Sequence, residues 1–154
     1  GGDVPDIKVN DKFDYKIKFV NAMIEFFKNK NEKKMILVGD LNIAPLENDV
    51  WSHKQLLKVV SHTEIEIKLL NKLINNCNFI DVPRMLMGND VKLYSWWSYR
   101  NKDWKKSNRG RRLDHILATK DILSNVEKVK FFKNYRDKDK PSDHIPISVD
   151  INFI

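Results

Sequence analysis

Between residues 13 and 40 the chain spells a helix followed directly by a strand. Phe13, Ile17, Val20, Ile24 and Phe27 recur at the spacing of one helical face, which predicts an amphipathic helix over about 13–29. The polar stretch Asn29 to Lys34 interrupts it. Met35-Ile36-Leu37-Val38 follows, an unbroken apolar run that suits a strand buried on both faces, and it stops at Gly39. A helix that delivers its chain straight into a buried strand restricts the fold to helices layered on a sheet, the α/β (α+β layered) class.

The rest of the chain is compatible with that class. Residues 50–60 are weakly helical, and Ser61 with Glu64 matches a capping box. Ile67, Leu70 and Ile74 then share a face, so a second helix is expected over 62–76. Tyr94 to Tyr99 reads as an aromatic strand, 101–111 as an exposed basic loop, and Leu113–Ala118 and Val126–Phe132 as strands. Ile145, Ile147, Val149, Ile151 and Phe153 alternate with Ser148, Asp150 and Asn152, the pattern of a half-buried strand. His53 and His62 read as surface residues without a role. No repeat or linker divides the 154 residues, a length that allows one core.

Several function classes are excluded by composition. No apolar run reaches the roughly 18 residues of a membrane span. The single cysteine, Cys77, rules out a disulfide framework and a cysteine zinc site. No secretory signal opens the chain, so a reduced, cytoplasmic compartment is expected. The net charge of +7 comes from 22 Lys and 6 Arg against 21 acidic residues. Such a balance favours a polyanion such as nucleic acid, and is equally what a Lys-rich solvated surface from a Lys/Asn/Ile-biased genome gives. The chain opens on Gly rather than Met, as a processed, engineered or excised chain does.

Four polar clusters stand at the ends of the expected strands. In Gly39-Asp40-Leu41-Asn42, a carboxylate and an amide two residues apart point the same way in extended chain and can address one phosphate or one hard metal ion; a plain turn has the same composition. Ser142-Asp143-His144 offers a metal ligand beside a donor to phosphate, or an ordinary loop. In Asn108-Arg109-Gly110-Arg111-Arg112-Leu113-Asp114 the cations suit phosphates and Asp114 can orient a histidine; a solvated loop is the alternative. Tyr94-Ser95-Trp96-Trp97-Ser98-Tyr99-Arg100 sets aromatics beside cations, as a nucleotide or flipped-out sugar would need, and as core strands also do.

Taken together and in this order, Gly39–Pro45, Ser95–Arg100, Asn108–His115 and Pro141–Pro146 resemble the exodeoxyribonuclease III family of apurinic/apyrimidinic endonucleases, within the endonuclease/exonuclease/phosphatase superfamily. The similarity extends over nearly the whole chain, including Lys12-Phe13-Asp14-Tyr15-Lys16. It implies a deoxyribonuclease I-like two-sheet α/β sandwich and a DNA-repair nuclease. The activity implied is metal-dependent cleavage 5′ to abasic sites, with or without 3′-to-5′ exonuclease action. By resemblance, Asp40 handles proton transfer, Asn42 stabilises the transition state, His144 contacts the scissile phosphate and Asp114 holds that histidine. Asp40, Asn42, Asp143 and His144 would surround Mg²⁺, or Mn²⁺. Trp96 would line the abasic-sugar pocket, and Arg100, Asn108, Arg109, Arg111, Arg112 and His144 would face double-stranded DNA carrying abasic sites or 3′ ends.

Two departures accompany the resemblance. Many members carry an aromatic or apolar residue where Arg111 stands. The family's first half, with a metal-binding glutamate, an early asparagine and a tyrosine near the phosphate, has no counterpart, and Gly1-Gly2 matches the middle of the family sequence. Residues 1–154 are therefore expected to be the carboxyl-terminal half of the domain, catalytically weak or dead alone, exposing an apolar face that the missing half would cover. Two alternatives stay open. One is another superfamily phosphodiesterase acting on inositol phosphates or sphingomyelin, which would not be expected to share the Trp-Trp-Ser-Tyr and Asn-Arg-Gly-Arg-Arg-Leu-Asp segments. The other is a non-catalytic DNA-binding remnant of a split enzyme.

Overall fold

The computed structural model describes residues 4–153, so the expected match of Gly1-Gly2 lies outside the described residues. Helix α1 (Asp11–Lys28) begins where Asn10 caps it by accepting the Phe13 amide at 3.1 Å. Strand β1 (Ile36–Asp40) follows, then a single turn of helix, α2 (His53–Leu56), and the longer α3 (Glu64–Asn76). The cap of α3 is Thr63 with Glu66, two residues beyond the pair suggested by the sequence. Glu66 is buried and accepts the amides of Ser61 and Thr63, so Ser61 belongs to the turn before the helix.

Strand β2 (Phe79–Asp81) and helix α4 (Val82–Met87) come next, and neither was legible in the sequence. The expected aromatic strand shrinks to β3 (Trp96–Trp97). The basic loop contains a helical turn, α5 (Trp104–Ser107), and β4 (Gly110–Arg111), which pairs with β3. Strand β5 (Asp114–Thr119), helix α6 (Lys120–Leu123), β6 (Val126–Phe131) and β7 (Ile147–Ile151) complete the chain.

The centre is an antiparallel sheet in the order β1-β5-β2. Helices α1 and α3 cover one face, packing Val20, Ile24, Leu70 and Leu73 against Leu117 and Phe79. The other face packs Ile116 and Ala118 with Val82, Ile122 and the inner side of the β6–β7 pair. That cover is partial. β1 is not buried on both faces: Leu37 packs against the helix side, while Val38 stays 63% exposed and Ile36 is also exposed. Alternation along a strand sends these residues to opposite faces, and only one face of β1 carries helices. Ile36, Val38, Ile116, Ile147 and Val149 thus line an open apolar groove.

An ionic core lies off this sheet. Asp49, Arg112 and Arg84 are buried. Asp49 accepts Nε (2.6 Å) and Nη2 (2.9 Å) of Arg112 and Nη2 of Arg84 (2.5 Å), and Arg112 also reaches Asp81 at 2.7 Å. Burial pushes the Asp49 carboxyl up, but the two guanidinium groups outweigh it and hold it below its usual range.

Two histidines are likewise interior. His62, expected on the surface, is buried with Nδ1 2.7 Å from the Ala44 carbonyl and Nε2 2.8 Å from His53. His115 is buried with Nε2 2.7 Å from the Ile43 carbonyl. Burial, and then the Arg112 charge, drop its pKa to about 4. In the folded chain His115 stays neutral down to that pH, whereas the unfolded chain takes up the proton near 6.5. Stability should therefore fall as pH drops from about 6.5 to 4, by roughly 3 kcal/mol from this group. Burial lowers the His62 pKa too, which adds in the same direction. His115→Gln should flatten the slope of urea midpoint against pH; an unchanged slope would place the acid sensitivity elsewhere.

Candidate active site

Antiparallel pairing is what assembles the site. β1 ends at Asp40 where β5 begins at Asp114, and the register sets these two residues opposite each other. β3 joins from the side. Buried Ser95 accepts the amides of Leu113 (2.9 Å) and Asp114 (3.1 Å) through its hydroxyl, which holds the start of β5. Trp96 forms a bridge with His144 and is the register partner of Arg111. Imidazole, indole and guanidinium thus come from three neighbouring strand segments.

Among the described residues, Asp40, Asp114 and His144 form a group whose ligand atoms all lie within 4.8 Å of one another. His144 Nδ1 sits 2.8 Å from Asp114 Oδ2, and its Nε2 lies 3.7 Å from Asp40 Oδ2. The hydrogen bond to Asp114 holds the His144 pKa above its ordinary value, against burial and with help from the nearby carboxylates. Asp40 is also raised, first by burial and then by the Asp114 charge, although the Asn42 amide at 2.8 Å pulls the other way. The pair thus sets a carboxylate whose proton affinity is raised beside an imidazole whose charged form is favoured.

Asn42 lines the same cavity in a left-handed conformation, φ +53°, held by the Lys16 ammonium on its carbonyl at 2.9 Å. Lys16 is also paired with Glu66. Asp143 stands outside the three-residue group, since its Oδ2 accepts the Trp96 indole N–H at 2.8 Å. Trp97 packs in the core and Trp96 faces the cavity, as alternation along β3 requires.

The basic residues divide. Arg100, Asn108 and Arg109 are exposed, and Asn108 takes the Trp97 indole N–H at 3.1 Å. The Arg109 guanidinium lies 4.6 Å from the Trp51 ring centroid. Arg111 donates to Val60 O (2.9 Å) and Ser61 Oγ (2.7 Å), and its guanidinium sits over Trp96 at 5.4 Å. Arg112 corrects the sequence reading. It is fully buried in the ionic core and cannot reach DNA, because alternation past β4 turns it inward to Asp49 and Asp81. Sequence reasoning gave no role to Ser95, Lys16 or Asp49; each acts through a contact distant in the chain, and no local pattern marks it.

An antiparallel sheet under two helices, with an Asp–His–Asp cluster where its strands meet, is a layered fold of helices on a sheet. Comparison with known proteins agrees with that class and narrows it. The chain belongs to the Endonuclease/Exonuclease/phosphatase family, whose sequence profile matches residues 18–144. It is 26% identical over 144 residues to an exodeoxyribonuclease of Bacillus subtilis, covering 93% of this chain and 55% of that protein. It is 28% identical over 143 residues to exodeoxyribonuclease III of Haemophilus influenzae, covering 88% and 53%. An AP endonuclease structure from Archaeoglobus fulgidus superposes with a TM-score of 0.85 at 26% identity, over 94% of this chain and 56% of that one. A 3′-5′ exonuclease from Neisseria meningitidis gives the same TM-score at 25% identity, with the same coverage. The chain spans about half the length of the curated relatives it matches.

Proposed function

We propose that this chain forms the Asp- and His-bearing half of a DNA-repair nuclease that hydrolyses phosphodiesters 5′ to abasic sites, with 3′-to-5′ exonuclease action at DNA ends. One observation carries the reading: the Asp40–His144–Asp114 cluster opens on a cavity walled by Trp96 and Arg111. In that reading His144, oriented by Asp114, presents Nε2 to a phosphate oxygen as a charged donor. Asp40 moves the proton of the attacking water or of the leaving oxygen. Asn42 donates to the oxygen on which charge develops.

The donor set fits a hard divalent cation. Two carboxylates stand together and Asn42 lines the same cavity, and Mg²⁺ is usually held by one or two carboxylates together with phosphate oxygens and water. Asp40, Asn42 and Asp114 are the residues that would hold it, with Mn²⁺ as the alternative; His144 Nδ1 is engaged by Asp114. The cation, when bound, polarises the phosphate and acidifies water.

The partners in this reading are duplex DNA with abasic sites or 3′ ends and an amino-terminal half that covers the apolar groove beside Val38, in the cytoplasm of a bacterium. Among the described residues no helix is long and apolar enough to cross a membrane. The test is cleavage of an abasic-site duplex in Mg²⁺ by the chain alone and with the amino-terminal half of the Bacillus relative supplied in trans. Cleavage is expected only with both, and full activity of the chain alone would remove the need for a second half. A Lys102/Lys106/Arg109 triple change to Gln should weaken duplex binding and reduce the slope of log K against log salt by about 1 per lost phosphate contact. No change in slope would take this loop out of the DNA footprint.

A further inference from the structure

The cavity at Asp40 and His144 has a second wall that the proposed chemistry does not use. Helix α1 contributes Tyr15 and Phe19 to it, together with Lys12. Both rings are open to solvent, 70% and 48% exposed, although they sit on a helix whose opposite face packs the core. They lie nearly parallel, 13° apart with centroids 6.3 Å from each other. Apolar surface grouped in a patch, rather than scattered singly, marks a binding surface. Here the pair adjoins a site already fitted for phosphate.

What covers it is constrained from three sides. The cavity is about 400 Å³, within the range of sites that take small organic groups. Another part of its wall is the Trp96 ring under the Arg111 guanidinium. Lys12 and Arg111 line it with cationic groups, so the occupant carries phosphate next to a flat ring. Aromatic faces take any nucleobase, because every base has a π-face. A base within a paired duplex is stacked and cannot enter a concave site. A base at a frayed or mismatched 3′ end leaves its stack at small cost.

We infer that Tyr15 and Phe19 form a stacking platform for the unpaired nucleobase at a 3′ end, seating the terminal nucleotide with its phosphodiester at Asp40 and His144. The inference rests on the proposed action on DNA and deepens it, since it names frayed or mismatched 3′ termini as the preferred end substrate.

The experiment uses a duplex with 2-aminopurine as the 3′-terminal base, either paired or mismatched, at low salt with EDTA to prevent hydrolysis. Fluorescence reports stacking and anisotropy reports binding. The wild-type chain should quench the mismatched end and bind it more tightly than the paired end. The Tyr15→Ala/Phe19→Ala double variant should lose the quenching and about tenfold of the affinity for the mismatched end. It should keep its affinity for the paired duplex, whereas Tyr15→Phe should behave as wild type. Both side chains are exposed, so neither change disturbs the core. Unchanged quenching and affinity in the double variant, with duplex binding intact, would overturn the platform alone. Failure of the wild-type chain to bind any duplex would overturn the DNA reading beneath it.

Discussion

Asp40→Asn is expected to slow abasic-site cleavage by roughly two to four orders of magnitude, the contribution of a positioned proton carrier, while duplex affinity stays close to that of the wild type. The side chain keeps its shape and loses its charge, and with it the capacity to hold and release a proton and much of its hold on a cation. Burial and then the Asp114 charge raise the Asp40 pKa above its ordinary value, which favours proton uptake there. The measurement is single-turnover cleavage of an abasic duplex by the chain with its complementing half, beside anisotropy with the same duplex. Loss of both cleavage and binding would make Asp40 a binding residue. Loss of neither, with binding sensitive to the basic-loop change, would favour a non-catalytic DNA-binding remnant.

Asp49→Ala is expected to destabilise the fold by about 3–5 kcal/mol, because two guanidinium groups would remain buried without their shared carboxylate. Arg112 is fully buried and Arg84 nearly so, and Arg112 would keep its bonds to Asp81 and a 3.4 Å contact with His115 Nδ1. That is a large fraction of what a domain of this size has in total. Urea unfolding followed by tryptophan fluorescence reads the loss directly. Asp49→Asn, which keeps the acceptor oxygen and removes the charge, should lose less and gives a readable value if the alanine variant does not fold. A loss below about 1 kcal/mol in Asp49→Ala would mean that the network relaxes or admits water.

Much of the local structure was legible because it has a short-range cause. The stripe from Phe13 to Phe27 became α1, and the alternation around Val149 became β7. Three-residue β2 and the short α4 carry too little periodicity to register. The α3 cap was misplaced by two residues, since Ser61/Glu64 and Thr63/Glu66 both match the motif and only Thr63 can be followed by a helix from its position. The capping Glu66 is further held by Lys16 from α1, a partner no local pattern announces. Arg111 and Arg112 look alike in the chain. Strand alternation sends one to the cavity wall and the other to the ionic core.

By itself the sequence determined the kind of layered fold, the family resemblance and the residue types available for phosphate chemistry, because these rest on local periodicity and on four short motifs. Tertiary structure alone decided how those motifs meet. Asp40 and His144 stand more than a hundred residues apart in the chain, and antiparallel register with a cross-strand bridge brings them within 3.7 Å. It also decided that Asp114 rather than Asp143 completes the cluster, and that Tyr15 and Phe19 on α1 border it. Periodicity reports which face of an element is apolar; which elements share an edge is settled only when the whole core packs.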